Sequence, residues 1–187
     1  QTLAEAEEHV LGALRLQFGA KSAGFGGSAT LAASNLTARL KALPDFEVID
    51  RNDPALSPPE RQELSRRTLL TDLFVCSVNA LTVDGELVNI DKFGNRVAAL
   101  SFGPKNVAVL VGRNKIVDNL PAALARAKNQ AAALNALRLG MNTPCAKTFA
   151  CHDCRGAERL CGVTVVTHRS CPDGRIHVLL INQDLGF

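Results

Sequence analysis

The sequence predicts an α/β protein built on a mostly parallel sheet covered on both faces. Three observations predict it. Strand-like and helix-like segments alternate along the chain. The inner strand candidates, Leu73 to Val78 and Val107 to Val111, are continuous apolar runs rather than alternating ones, as expected for strands buried on both faces. The chain has 187 residues, 47% of them apolar, which is enough for a full core.

The elements follow in order. Thr2 to Phe18 reads as an amphipathic helix with Leu3, Val10, Leu11, Leu14 and Phe18 on one side. Lys21 to Phe25 reads as a short strand, and Ser28 can cap a helix carrying Leu31, Leu36 and Leu40. Phe46 to Asp50 is a strand candidate. Ser57-Pro58-Pro59-Glu60 is a capping box with proline at the first helical position, opening a helix to about Leu70. Thr82 to Ile90, interrupted at Asp84-Gly85, reads as a hairpin. Leu120 to Leu139 is a long Ala-rich helix, and Val163 to Thr167 and Ile176 to Asn182 are the last strands. The expectation is one domain over residues 1–187, with a cysteine-rich segment at 143–162 inserted before those strands.

Composition excludes several classes of function. Trp and Tyr are both absent, which removes the usual stacking platforms for single-stranded nucleic acid. A net charge of +3, evenly spread, does not predict a nucleic-acid partner. No apolar run is long enough to predict a membrane span.

Four of the six cysteines fall between Cys145 and Cys161, in the spacing C-x5-C-x2-C-x6-C. A chain with a full core does not need disulfide staples, so the reading is a ligand cluster in a reducing compartment, which predicts a cytoplasmic protein. Cys151 and Cys154 can place both sulfurs on one metal. With Cys145 and Cys161 they make four thiolates, a set that suits an iron–sulfur cluster, [4Fe–4S] before other types, or tetrahedral zinc. The spacing matches neither common ferredoxin run, and a zinc ribbon would show a second C-x2-C pair. Lys147, Arg155 and Arg159 lie between the ligands and are expected to lower the thiol pKa values. The alternative is ordinary loop cysteines. Cys76, inside an apolar strand, reads as a buried inert thiol.

Two other stretches carry polar groups. Gly26, Gly27, Ser28 and Thr30 join a strand to a helix, where glycines allow close backbone approach and hydroxyls can meet a carboxylate or phosphate. The pattern is neither a dinucleotide fingerprint nor a P-loop, and a tight turn with a serine cap explains it equally well. After the buried strand at Leu73 come Asn79, Glu86, Asn89, Asn95 and Arg96, at the position where open α/β sheets place their sites. Glu86 could act as base or nucleophile, and Asn95 and Arg96 could hold a carboxylate from a polar loop. Asp84-Gly85 reads as the hairpin turn.

These stretches resemble the LUD, or lactate-utilization, domain family. The resemblance runs through Gly26-Gly27-Ser28-Ala29-Thr30-Leu31, Ser77-Val78-Asn79-Ala80-Leu81-Thr82, Gly85-Glu86-Leu87-Val88-Asn89 and Gly94-Asn95-Arg96-Val97-Ala98-Ala99. It continues in Val111-Gly112-Arg113-Asn114-Lys115-Ile116-Val117, Thr143-Pro144-Cys145, the Cys151, Cys154 and Cys161 spacing, and Asn182-Gln183-Asp184-Leu185-Gly186. The resemblance implies a three-layer α/β/α fold of the NagB/RpiA/CoA-transferase type, with the glycine-rich first turn at the ligand site. Some members act in oxidation of L-lactate to pyruvate beside iron–sulfur oxidoreductase subunits.

The expected function is a redox accessory protein of organic-acid metabolism that binds a small carboxylate or phosphorylated ligand and a cysteine-held metal centre. The alternatives are an isomerase or CoA-transferase-like enzyme using Glu86 beside a structural zinc, and a regulatory or scaffold subunit. A homo-oligomer is compatible with each of them.

Overall fold

The computed structural model describes residues 1–187. Two compact units are present, and both are discontinuous in sequence. The first comprises Gln1–Ser77, Ala98–Arg113 and Ser170–Gly186; the second comprises Val78–Val97, Asn114–Arg169 and Phe187.

The first unit carries a five-stranded sheet in the order β2-β1-β3-β6-β9. Its strands are β1 (Ser22–Phe25), β2 (Glu47–Ile49), β3 (Leu73–Cys76), β6 (Asn106–Gly112) and β9 (Ile176–Ile181), and every neighbouring pair is parallel. Side chains alternate across it. Ala23, Phe25, Leu73, Val75, Ala108, Leu110, Leu179 and Ile181 share one core with Ala6, Val10 and Leu14 of the N-terminal helix and with Leu31, Leu36 and Leu40. Gly24 points the other way, where a Cβ would lie 2.6 Å from Cβ of Thr68. Helices therefore cover both faces, which makes the three-layer α/β/α arrangement.

Local chemistry explains the helix starts. The N-terminal helix runs through α1 (Leu3–His9), a π-helical turn (Val10–Leu14) and α2 (Arg15–Phe18). Thr2 is its cap: Glu5 N donates to Thr2 Oγ1 at 3.2 Å and Thr2 N to Glu5 Oε2 at 2.7 Å. Ser28 Oγ accepts from Thr30 N at 3.1 Å and starts α3 (Ala29–Ala32). The single helix expected there is interrupted, and α4 (Leu36–Lys41) carries Leu36 and Leu40. Helix α5 (Pro58–Arg67) opens with Ser57 N donating to Glu60 Oε2 at 2.8 Å, and a 3-10 turn (Thr68–Leu70) follows it.

The second unit carries its own sheet, in the order β7-β4-β5-β8. Strands β4 (Ala80–Thr82) and β5 (Leu87–Asp91) form the expected antiparallel hairpin, turned at Gly85 with φ of 94°. Strand β7 (Ile116–Val117) runs parallel to β4, and β8 (Val163–Thr167) runs antiparallel to β5. The long helix comprises α7 (Leu120–Arg126), a π-helical turn (Ala127–Ala131) and α8 (Ala132–Arg138). Its Ala123 and Ala127 pack on Ala80, Val88 and Ile90, with Cys161 and Val166 at the margin of this cluster.

Two expectations are corrected here. Val163–Thr167 and Ile176–Ile181, expected as successive strands beyond one insertion, belong to different sheets. The stretch after Gly94, expected as a polar loop, begins helix α6 (Asn95–Phe102). The Asp91 carboxylate organises that start by accepting from Arg96 N and Val97 N at 2.9 and 3.2 Å. No helix is long and apolar enough to cross a membrane.

Candidate metal loop and polar sites

Cys145 sits on the short helix α9 (Pro144–Thr148), and Cys151, Cys154 and Cys161 sit on the irregular chain between α9 and β8. All four are free thiols, half-buried, and all lie in the second unit. Backbone and side-chain bonds fix the loop. Phe149 and Asp153 take left-handed φ values of 56° and 45° and turn the chain on either side of Cys151. Cys151 N donates to Asn129 Oδ1 at 2.8 Å, which ties the loop to the long helix. Asp153 N points at Cys151 Sγ, 3.4 Å away.

Arg159 then organises the rest. Its Nε donates to the carbonyl oxygen of Cys161 at 2.8 Å, its Nη1 to the carbonyl oxygen of Cys154, and its Nη2 to Asp153 Oδ1 at 3.0 Å. One guanidinium thus holds two of the four cysteine positions and the turn at Asp153 just ahead of the first of them.

Burial pushes the Cys161 thiol up. Like charge on Cys151, Cys145 and Cys154 adds to that, and Arg159 opposes it. This corrects the expectation that the basic residues lower every thiol here. It also shows the other three cysteines within electrostatic reach of Cys161. The donor types suit a thiolate-bound metal: four thiols within seventeen residues, with an amide N–H already directed at a sulfur. The side chains themselves do not converge as a metal-holding group. Each thiol swings about a single χ1 bond, so the loop backbone sets where the sulfurs can reach. His152 turns away to Thr148, with Nε2 2.8 Å from Oγ1. Cys76 is buried in β3, as expected, and Cys171 is exposed in the first unit.

The expected anion-binding residues divide between the units. Gly26, Gly27, Ser28 and Thr30 belong to the first. Gly26 N donates to Val75 O at 2.9 Å and Thr30 Oγ1 to Leu185 O at 3.2 Å. The φ of Gly27 is not in the left-handed region; a Cβ there would lie 2.7 Å from Arg51 Nη2. The glycine is therefore a matter of clearance under an arginine that sequence reasoning did not single out.

Asn79, Glu86, Asn89, Asn95 and Arg96 belong to the second unit. Arg96 is 9% exposed and is not a loop side chain. Its Nε donates to Asp91 Oδ1 at 3.0 Å, and its Nη2 to Asn79 Oδ1 at 2.9 Å and to Ile90 O at 2.8 Å. Asn79 Oδ1 also accepts from Ile90 N at 2.8 Å. Both residues hold the strand–helix junction together. Asn89 is fully buried on β5, and neither its amide nitrogen nor its oxygen has a partner. Glu86 closes the β4–β5 hairpin: its N donates to Thr82 Oγ1 at 2.9 Å and its Oε1 lies 2.8 Å from His168 Nδ1. His168 had no signal in the sequence, because its partner is 82 residues away.

The all-parallel sheet with helices on both faces, together with the cysteine loop, defines an α/β protein of the class expected from the motifs. The LUD domain family model matches residues 1–181, and the chain belongs to that family. Among solved structures, a DUF162 family protein from Deinococcus radiodurans is similar at 16% identity, covering 97% of this chain and 99% of that one with a TM-score of 0.36. No curated relative matches the chain.

Proposed function

We infer that the protein is a redox accessory protein of organic-acid metabolism, of the lactate type, that binds a small anionic ligand and holds a metal centre on Cys145, Cys151, Cys154 and Cys161. The observation that carries this reading is the loop itself. Three thiols share one irregular segment and Cys145 sits on the short helix just before it; Arg159 ties the Cys154 and Cys161 carbonyls, and the Cys151 sulfur already meets an amide N–H. Membership of the LUD domain family supports the metabolic setting. An iron–sulfur cluster, when bound, supplies one-electron transfer, and iron–sulfur oxidoreductase subunits are the partners this implies. The chain's own contribution is to present the sulfurs, to offset their charge with Arg159, and to half-shield them from water. The unpartnered carboxamide of Asn89 supports a polar ligand in the second unit.

Anaerobic purification followed by iron, sulfide and zinc analysis tests the reading. Iron with sulfide in stoichiometric amounts, lost in Cys154→Ser, is the expected result. Neither iron nor zinc, in protein with four titratable thiols, sinks it.

One observation favours a second reading. The Glu86–His168 pair could serve as an acid–base couple in an isomerase or CoA-transferase-like enzyme. Turnover lost in Glu86→Gln and retained in the cysteine variants would decide for it.

A further inference from the structure

Three buried cations of the second unit meet at Val78 and Asn79, two on the backbone and one on a side chain. Lys115 is 3% exposed and donates from Nζ to Val78 O at 3.1 Å. Arg126 is 7% exposed; it donates from Nε to Asn114 O at 3.1 Å and from Nη1 to Asn79 O. Arg96 reaches the side chain of the same Asn79. Arg96 has the Asp91 carboxylate to balance it. Arg126 has two neutral carbonyl oxygens, and its Nη2 is buried with no hydrogen-bond partner.

A buried cation that meets only carbonyl dipoles is costly, and an unmade bond from a charged donor adds to the cost. Burial alone pulls the Arg126 guanidinium below its ordinary value. The two carbonyl bonds explain why an arginine can clamp Asn79 and Asn114. They do not explain why the remaining nitrogen is held dry and unpaired. An anion relieves both costs at once. Nη2 remains to be matched, and two neighbouring guanidinium nitrogens have the spacing of two oxygens on one planar carboxylate. Nε and Nη1 are already engaged on the Asn114 and Asn79 carbonyls, so one guanidinium charge is left to balance, which a carboxylate monoanion does without the further donors a phosphate dianion calls for.

We propose that Arg126, with Lys115 on the preceding Val78 carbonyl, is the anion-binding element of the second unit and takes the carboxylate of a small organic acid. This rests on the small-anion part of the function inferred above and assigns it chiefly to Arg126, which none of the sequence motifs included. Arg96 and Asn79 act as positioning residues that hold the Asn79 carbonyl where Arg126 meets it.

The test uses the full chain as wild type, Arg126→Gln and Arg126→Lys, titrated with L-lactate, pyruvate and inorganic phosphate by calorimetry and thermal shift. The side-chain NMR resonances of Arg126 are followed in the wild type. At least one of the two carboxylates is expected to bind wild type more tightly than phosphate does and to shift the Arg126 resonances. Its affinity is expected to fall about tenfold or more in both variants, because Arg126→Lys keeps the charge and loses the fork. Variants that keep wild-type affinity overturn the assignment to Arg126 and leave the small-anion reading standing. Phosphate binding more tightly than either acid overturns the carboxylate class. A wild type that binds none of the three probes, with unmoved Arg126 resonances, overturns the assignment and the small-anion reading together. Metal content, measured separately, does not depend on any of these outcomes.

Discussion

Asp91 and Arg96 are joined through side chain and backbone: Arg96 Nε donates to Asp91 Oδ1 at 3.0 Å, Nη2 lies 2.9 Å from the same oxygen, and the Arg96 backbone N–H donates to Asp91 Oδ2 at 2.9 Å. One carboxylate therefore pairs a buried guanidinium and starts helix α6. Arg96→Ala should leave the Asp91 charge, Asn79 Oδ1 and the Ile90 carbonyl short of a donor. The expected loss is about 3 kcal/mol of stability, read by urea denaturation. A double-mutant cycle with Asp91→Asn should show strong coupling. A loss within about 0.5 kcal/mol, the range of ordinary surface substitutions, would mean that the pair contributes nothing to the fold.

Gly27 and Gly24 should respond differently to alanine. At Gly27 the new methyl meets the far end of the Arg51 side chain, which can swing away, so stability should fall by less than about 1 kcal/mol. At Gly24 it meets Cβ of the buried Thr68 at 2.6 Å, in a β1 strand that cannot move without disturbing β2 and β3. A loss of about 1–3 kcal/mol is expected there. Thermal melts of the two variants check the order, and the reverse order would contradict this packing.

Acid should weaken the fold through His177. Burial depresses its pKa, the His9 charge depresses it further, and a backbone bond to Gly174 opposes them. Its Nε2 is buried without a partner, and its ring lies 4.9 Å from that of Phe18. The unfolded chain takes up this proton first as pH falls through the ordinary value of 6.5, so the stability due to neutral His177 is present above that pH and declines below it. His177→Phe should flatten the fall in melting temperature on the acid side of 6.5. An unchanged pH profile in that variant would assign the acid sensitivity to other groups.

Arg159→Lys keeps a positive charge and loses the fork that spans the Cys154 and Cys161 carbonyls. The sheet-bearing parts of the fold should be little affected, with stability changing by less than about 1 kcal/mol. Amide exchange should quicken at residues 150–161, and, on the proposed metal centre, metal retention against a chelator should fall. A variant that retains metal as wild type does would show that the loop needs charge alone.

The hairpin at Asp84-Gly85, the Ser57–Glu60 cap, and the apolar β3 and β6 strands were legible in the sequence because each depends on neighbours within a few residues. The cysteine positions were legible for the same reason: their spacing is local. Helix α6 was not, because its start is organised by Asp91 from the preceding strand, and Asn95 and Arg96 in isolation read as loop residues. The role of Arg159 was not legible either, since a basic residue between thiols reads as charge until its bonds to two carbonyl oxygens are seen.

By itself the sequence determined an α/β protein with a parallel sheet, an amphipathic N-terminal helix, a glycine turn before Ser28, a capped helix after Ser57 and a four-cysteine segment, through the periodicity of apolar residues and short-range capping chemistry. The tertiary structure alone decided that β4, β5, β7 and β8 form a separate sheet, that Arg96 is buried rather than offered to solvent, and that Arg126 lies against the Asn79 and Asn114 carbonyls. The reason is physical. Strand pairing and the partners of a buried charge are set by groups brought together from distant parts of the chain, such as Asn89 opposite Val165, and no local pattern encodes which distant group that will be.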